Sequence, residues 1–161
     1  MDLILEPATL EDYEEMIDVY SELVDLHVAN LSWKFQRPEK EIFSKAYFEE
    51  CLKSKNNLIL LAKQKDKAIG LVNVKIERSA KIPLYLPRRY AKINDLVVKE
   101  SFRGKGVGKK LLEEAQKWIQ AKGVTDIELE VYDFNADALA FYKKDNFQEV
   151  SVTLRKTLKT R

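Results

Sequence analysis

The sequence has few of the residues that form disulfides or bind structural metals. Its 161 residues include one cysteine, Cys51, and one histidine, His27. A single cysteine excludes an internal disulfide, and one cysteine with one histidine supplies too few ligands for a structural zinc site. We therefore expect no metal, and a reducing cytoplasm is the default location.

Long apolar runs and a strong charge imbalance are also missing. No apolar run approaches the roughly 18 residues that a membrane-spanning helix needs. Asp2 and Glu6 stand where a signal peptide would have basic and then apolar residues. The net charge of +2 is too small to indicate nucleic-acid binding. We expect one domain over residues 1–161, with neither a membrane nor a nucleic acid as partner.

Glycine is scarce, and three of the five glycines, Gly104, Gly106 and Gly108, lie within five residues. An apolar strand with Ile93 and 96–98 precedes them, and a pattern of helical spacing runs from Val107 to Gly123. Alternate glycines let the backbone approach a ligand and adopt positive φ. The following helix start offers unpaired N–H groups and the positive end of its dipole. With the basic residues Arg103, Lys105, Lys109 and Lys110, the stretch predicts a site for a phosphate-bearing anion.

Two common phosphate-binding motifs do not fit this turn. A Walker loop requires Gly-x-x-x-x-Gly-Lys-Ser/Thr, but no hydroxyl residue follows Lys109 and Lys110. A dinucleotide fingerprint requires Gly-x-Gly-x-x-Gly, whereas the turn has Gly-x-Gly-x-Gly. The alternative interpretation is a glycine turn that joins a strand to a surface helix with solvated lysines.

A second motif further along the chain favours a ligand site. It reads Asn135-x-x-Ala138-x-x-Phe141-Tyr142 and opens a predicted helix. Together with Arg103-x-x-Gly106-x-Gly108, it resembles the GNAT superfamily of N-acetyltransferases, clearly over residues 90–150. The chain departs from the family at Asn146, where glycine usually precedes Phe147. Asparagine is the next best residue for a left-handed helix end, so we expect this difference to be tolerated.

The resemblance implies an α/β fold in which a mixed α+β sheet carries helices on both faces, the GNAT-like acyl-coenzyme A N-acyltransferase fold. The patterns along the chain give the order βααβββαβαβ. Thr9 and Asp12 form a capping-box pattern before the first helix, and Pro38 is placed where a second helix would begin. Alternating apolar residues predict a strand with Ile127, Leu129 and Val131 and a final strand over 147–154.

The family's chemistry implies acetyl transfer from acetyl-coenzyme A to a primary amine of a small molecule or protein, by direct attack in a ternary complex. A non-catalytic acyl-coenzyme A binding module is the alternative. The resemblance also allows a homodimer, because many members form dimers. The implied coenzyme-binding residues lie on the central strand, the glycine turn and the second motif: Leu96, Val97, Val98, Arg103, Gly104, Lys105, Gly106, Val107, Gly108, Lys109, Asn135 and Tyr142.

Catalytic roles are assigned to two side chains. Tyr142 matches the family's general acid for the departing thiolate, although it could instead be a core tyrosine packed on Phe141. Asp95 interrupts an apolar strand and is the candidate general base, although it could be solvent-facing or ion-paired. Glu77 and His27 are weaker candidates, and a water chain could replace any base. The resemblance places the oxyanion donor among the backbone N–H groups of residues 96–98.

The sequence leaves the acceptor open. The first predicted helix carries many carboxylates and no Lys or Arg, which is either a solvated face or an acidic wall near a cation. The basic loop at 79–89 indicates the opposite charge, either as an exposed hairpin end or as a lip of the acceptor site. Cys51 follows Phe43 and Tyr47 at helical spacing, so we expect it to pack in the core rather than react.

Overall fold

A computed structural model describes residues 2–159. Within them, contacts divide the chain into one compact unit that ends at Leu129 and another that begins at Glu130. The strands of the first unit are β1 (Ile4–Pro7), β2 (Asn57–Gln64), β3 (Lys67–Arg78), β4 (Arg89–Val98) and β5 (Ile127–Leu129). Its helices are α1 (Tyr13–Asn30), α2 (Lys45–Lys53) and α3 (Val107–Ala121), and the second unit contains α4 (Ala136–Lys144).

The five strands of the first unit form one mixed sheet in the order β1-β2-β3-β4-β5. Neighbours are antiparallel except β4 and β5, which are parallel. Leu61 and Leu71 pair across β2 and β3 and belong to the core cluster that contains residues of α1 and α2. Gly70 faces the other way, because a Cβ there would lie 3.3 Å from Leu111 Cδ1 on α3. Helices therefore cover both faces, as predicted.

A single 3-10 turn, Leu10–Asp12, leads into α1, and its start confirms the predicted capping box. The backbone N–H and the hydroxyl of Thr9 donate to Asp12 at 2.7 and 2.9 Å. Lys63 Nζ on β2 donates to the other Asp12 oxygen at 2.6 Å, which ties the helix start to the sheet. Burial alone would raise the pKa of Asp12, but the hydrogen bonds from Lys63 and Thr9 outweigh it and lower the pKa.

The second helix begins later than predicted. Pro38 lies in an irregular segment, and α2 starts at Lys45. Ser44 has extended backbone angles, and its Oγ accepts a hydrogen bond from the Tyr47 N–H at 3.2 Å. A proline only permits a helix start, whereas a serine cap satisfies one of the N–H groups that the start exposes. Ser44 therefore determines the boundary.

The second unit confirms two local predictions. Asn135 Oδ1 accepts the Ala138 N–H at 3.1 Å and caps α4. Asn146 follows the end of this helix at φ 66°, the left-handed conformation for which the family usually has glycine.

The final strand of the predicted order is wrong. Among residues 2–159 no strand follows α4, and Val150, Val152 and Leu154 are each at least 79% exposed. The strand predicted to reach Val131 also ends at Leu129. Alternation measures the preference for a strand, but a strand persists only with a hydrogen-bonded neighbour, and residues 147–154 lack one in the described structure. No helix in the described range is long and apolar enough to cross a membrane.

Candidate active site

The glycine turn before α3 has the predicted backbone at Gly104 and Gly106, whereas Gly108 lies inside α3 and is not among the glycines with positive φ. Gly104 and Gly106 have φ values of 71° and 80°, and a Cβ on either would meet no heavy atom within 4 Å. Gly106 is the N-terminal cap of α3 and, as a glycine, supplies no side-chain cap. In contrast, Ser44 caps α2 and Asn135 caps α4. The first-turn N–H groups of α3 can therefore serve an anionic ligand such as a phosphate.

The basic side chains around the turn hold the loop together. Arg103 Nε donates to the carbonyl of Val98 at 2.9 Å, so it ties the turn to the end of β4. Lys105 Nζ donates to the carbonyl of Ser101 at 2.8 Å. Arg103 also lies 3.8 Å from Glu22 and Lys109 lies 3.8 Å from Glu113, so carboxylates balance part of the positive charge beside the helix start. A direct contact between any of these basic side chains and coenzyme A stays a prediction.

Beyond Ile93, β4 pairs with β3 alone among the strands of residues 2–159. Its ladder with β3 continues to Val98, but its ladder with β5 ends where Ile93 meets Leu129. A register shift leaves Asn94 without a partner on β3, which marks a β-bulge. Backbone groups of residues 94–98 that point away from β3 therefore have no partner on β5. Leu96, Val97 and Val98, the predicted source of the oxyanion donor, lie on this open edge.

A cavity of about 230 Å³ lies on the sheet face that α1 and α2 cover. Aromatic and apolar side chains from the two helices and the loop between them line one wall, and polar side chains of β3 and β4 line the sheet side. The lining residues are Met16, Tyr20, Phe43, Tyr47, Phe48, Cys51, Ile59, Asn73, Lys75, Glu77, Asn94 and Asp95. The cavity therefore joins the candidate base Asp95 to the weaker candidate Glu77.

Asp95 is held at the sheet side of the cavity by neutral donors. The Tyr20 hydroxyl donates to Asp95 Oδ2 at 3.0 Å, and Asn73 Nδ2 lies 3.4 Å from the same oxygen. Asp95 keeps part of its surface accessible because it faces the cavity. Protein atoms nevertheless surround its carboxylate closely. Burial raises the pKa of Asp95, and the hydrogen bonds from Tyr20 and Asn73 offset part of the rise. This carboxylate is therefore a better proton acceptor than an exposed aspartate.

Glu77 lies at the other end of the cavity with two described partners. Tyr90 Oη donates to Glu77 Oε2 at 3.1 Å, and Lys75 Nζ lies 3.6 Å from Oε1. His27, the remaining candidate base, is not among the lining residues, and its ring packs 5.1 Å from that of Phe35. The structure therefore brings Asp95 and Glu77 to one cavity but leaves His27 outside its lining.

The Phe43–Tyr47–Cys51 stripe is both packing and cavity wall. The Phe43 ring stacks on Tyr47 at 5.7 Å and meets Tyr20 edge-on at 5.0 Å. Cys51 is buried in the core cluster, as predicted, and also lines the cavity. Tyr47 is half exposed, so this part of the stripe is less buried than a core residue would be.

The acidic residues of α1 and the basic loop at 79–89, which gave conflicting indications of acceptor charge, both lie away from the cavity lining. On α1, Asp18 pairs with Lys99, and Glu22 Oε2 accepts the Glu100 N–H at 2.8 Å. The loop between β3 and β4 contributes no lining residue, and Arg88 at its end pairs with Glu128. The charge that an acceptor meets in this cavity therefore comes from Asp95, Glu77 and Lys75.

Tyr142, the predicted general acid, lies in the second unit. It is buried on α4, and its ring meets Phe141 and Phe147 edge-on at 5.1 and 5.4 Å. These contacts fit the packing role that the sequence left open. A role in proton donation stays a prediction.

The sequence prediction missed Tyr20 and Asn73 as site residues. Tyr20 lies in the apolar pattern of α1, which does not distinguish a core residue from a cavity-lining one. Asn73 did carry a signal, because it interrupts the apolar run of β3 as Asp95 interrupts β4. The two polar interruptions pair directly in the sheet.

Comparisons with known proteins agree with this architecture. The sequence matches the model of the acetyltransferase (GNAT) family over residues 20–147. It is 27% identical over 158 residues to the spermidine N(1)-acetyltransferase of Thermoplasma acidophilum, covering 92% of this chain and 89% of that protein. It is also 27% identical over 114 residues to an uncharacterized N-acetyltransferase of Methanocaldococcus jannaschii, covering 71% of this chain but about half, 49%, of that protein.

A solved structure supports the same assignment. A mutant of the BH1408 protein from Bacillus halodurans superposes with a TM-score of 0.90 at 27% identity, covering 97% of this chain and 99% of that chain. Since the family model spans well over half of the sequence, the chain belongs to the GNAT family of acetyltransferases.

Proposed function

We propose that this protein transfers an acetyl group from acetyl-coenzyme A to a primary amine, by direct attack in a ternary complex. The observation that carries the proposal is the open edge of β4 beyond Ile93. This edge leads to the uncapped start of α3 and borders the face on which Asp95 lines a cavity. One strand thus connects a phosphate site, a row of backbone donors and a candidate base.

The glycine turn would bind the pyrophosphate of coenzyme A. The first-turn N–H groups of α3 would donate to its oxygens, and Gly104 and Gly106 leave room for that approach. A backbone N–H among Leu96, Val97 and Val98 would donate to the carbonyl oxygen of the acetyl group. One such donor can contribute about 3–4 kcal/mol to the stability of a transition state.

Asp95 would accept a proton from the amine. An alkylamine has a pKa near 10.4, so about one molecule in 2,500 is neutral at pH 7, and reaching this form costs about 4.6 kcal/mol. Because burial raises the pKa of Asp95, proton transfer from the ammonium is less unfavourable than to an ordinary carboxylate. The neutral amine nitrogen then bonds to the acetyl carbon as the carbon–sulfur bond breaks, and the nitrogen, positively charged after the attack, releases a second proton to leave the amide. The leaving thiolate takes a proton, for which Tyr142 stays the predicted donor.

The assay for this proposal follows release of free thiol from acetyl-coenzyme A. The acceptor panel contains monoamines, diamines, an aminoglycoside, a lysine peptide and spermidine, for which the Thermoplasma relative is named. We expect amine-dependent thiol release and an acetylated product in mass spectra. Tight coenzyme binding without release for any acceptor would contradict the proposal and favour a non-catalytic binding module.

A further inference from the structure

From the cavity we infer that the acceptor is a slender dication: an unbranched chain with a reacting amine at one end and a second ammonium at the other, which Glu77 recognises. This inference rests on the proposed function, because it takes the cavity as the acceptor site. It extends that function from a primary amine in general to a class of amines.

The cavity has a net negative lining. It contains two carboxylates, Asp95 and Glu77, and one ammonium, Lys75. The described donors to Asp95 are the neutral side chains of Tyr20 and Asn73, so its charge is not cancelled by them. Aromatic faces on the opposite wall also favour a cationic ligand over an anionic one.

The two carboxylates lie at opposite ends of the sheet side of the cavity. Asp95 pairs with Asn73 on β3, and Glu77 lies four residues further along the same strand. Successive side chains alternate between faces, so Asn73, Lys75 and Glu77 share the cavity face. Four residues of extended strand span about 13 Å. One elongated dication could therefore contact both carboxylates at once, which favours a long diamine over a short one.

The volume and shape of the cavity favour an alkyl chain. A volume of about 230 Å³ lies below the usual range for drug-sized sites, about 300–1,000 Å³. The rings of Phe43 and Tyr47 line its wall, so methylene groups between the two charges would contact apolar surface. The enclosed part of the cavity therefore suits a narrow alkyl chain better than a multi-ring amine.

Lys75 opposes the second ammonium and makes the inference testable. Its Nζ lies 3.6 Å from Glu77, and its side chain is 51% exposed. Exposed ion pairs of this kind contribute little, so a ligand ammonium can displace Lys75 from Glu77. Removing the lysine charge should therefore improve binding of a dication and not of a monoamine.

The experiment measures KM and kcat by thiol release for three matched series of acceptors. These are unbranched diamines from diaminopropane to diaminododecane, monoamines of equal length, and ω-amino acids of equal length. We expect the lowest KM for a diamine longer than diaminobutane, a KM about tenfold higher for the matched monoamine, and the highest for the amino acid. Glu77→Gln should raise the diamine KM about tenfold and the monoamine KM much less, because only the diamine places a second ammonium at residue 77. Lys75→Gln should lower the diamine KM a fewfold.

Glu114→Gln is the matched control, because Glu114 pairs with Lys117 on α3 outside the cavity lining and should leave the diamine preference intact. Equal KM values for diamines and monoamines, or a preference for the amino acids, would overturn the inference while amine-dependent turnover still supports the proposed function. Absence of turnover with every amine would instead contradict the proposed function.

Discussion

The bond between Tyr20 and Asp95 allows a direct test of the general base. Tyr20→Phe keeps the ring and its edge-on contact with Phe43 but removes the hydroxyl that donates to Asp95 Oδ2 at 3.0 Å. That hydrogen bond stabilises the ionised carboxylate and so lowers the pKa of Asp95 against the raising effect of burial. Without it, the pKa of Asp95 rises further. As the pH falls, Asp95 is then protonated earlier, so turnover begins to decline at a higher pH than in the parent.

The size of the shift follows from the strength of the lost bond. A hydrogen bond to a charged group contributes about 1.5–3 kcal/mol, and 1.36 kcal/mol corresponds to a tenfold change in a proton equilibrium. We therefore expect the acidic limb of kcat/KM to move upward by about one to two pH units. Because the acceptor is the same for parent and variant, its own titration cancels in the comparison.

The assay is a pH–rate profile of thiol release at low acceptor concentration, and two further variants frame it. Tyr13→Phe, also on α1, removes a hydroxyl that donates to the carbonyl of Phe43 at 2.6 Å, and should leave the acidic limb at the same pH.

Asp95→Asn should lower turnover and flatten the acidic limb, with little change in coenzyme affinity. It should also raise the melting temperature at pH 7. Because the pKa of Asp95 is raised in the folded state, its ionisation destabilises the fold once the pH exceeds the ordinary aspartate pKa. Asparagine does not ionise and avoids this cost. Identical limbs for the parent and Tyr20→Phe would refute Asp95 as the titrating base.

Four other predictions test the remaining parts of the site and fold. Gly106→Val should abolish acetyl-coenzyme A binding in calorimetry. The control Gly123→Val places the same side chain at φ 68° at the other end of α3, so it should cost similar stability but keep binding. If the two variants bind acetyl-coenzyme A equally well, the turn is not part of the coenzyme site. Tyr142→Phe should lower kcat about 10–100-fold with little change in KM, and the deficit should narrow with acetyl thioesters of better leaving groups; a constant deficit would indicate packing alone. Cys51→Ala should keep turnover and lose about 1 kcal/mol of stability, whereas lost turnover with intact coenzyme binding would indicate a covalent mechanism. Asp12→Asn should lower the free energy of unfolding by about 2 kcal/mol at neutral pH. Because the pKa of Asp12 is lowered, this difference should disappear as pH falls through the folded-state pKa, and a difference that persists in strong acid would contradict the capping role.

Local patterns in the sequence were sufficient for several features that depend on neighbours along the chain, although the Ser44 cap that starts α2 was missed. The Thr9–Asp12 capping box, the Asn135 cap and the left-handed Asn146 all formed as predicted. Each involves a side chain and a backbone group within a few residues, so no distant partner is needed. The glycine turn belongs to the same class, because positive φ is available to glycine without a tertiary contact.

Tertiary structure decided the features that need a distant partner. The alternation at 147–154 predicted a strand, but a strand requires a neighbour to accept its hydrogen bonds, and none of the described strands takes that position. Likewise, the acidic residues of α1 could not be assigned from sequence, because only the fold places Asp18 beside Lys99 and Glu22 beside the Glu100 amide.

The acceptor cavity shows the same division. The sequence alone identified Asp95 as an unusual residue, since a carboxylate in an apolar strand is costly to bury without a partner. Only the fold supplied those partners, by bringing Tyr20 from a helix 75 residues earlier and Asn73 from the neighbouring strand. A pattern along the chain reports which residues prefer burial, whereas the partners that stabilise a buried charge depend on chain segments that meet only after folding.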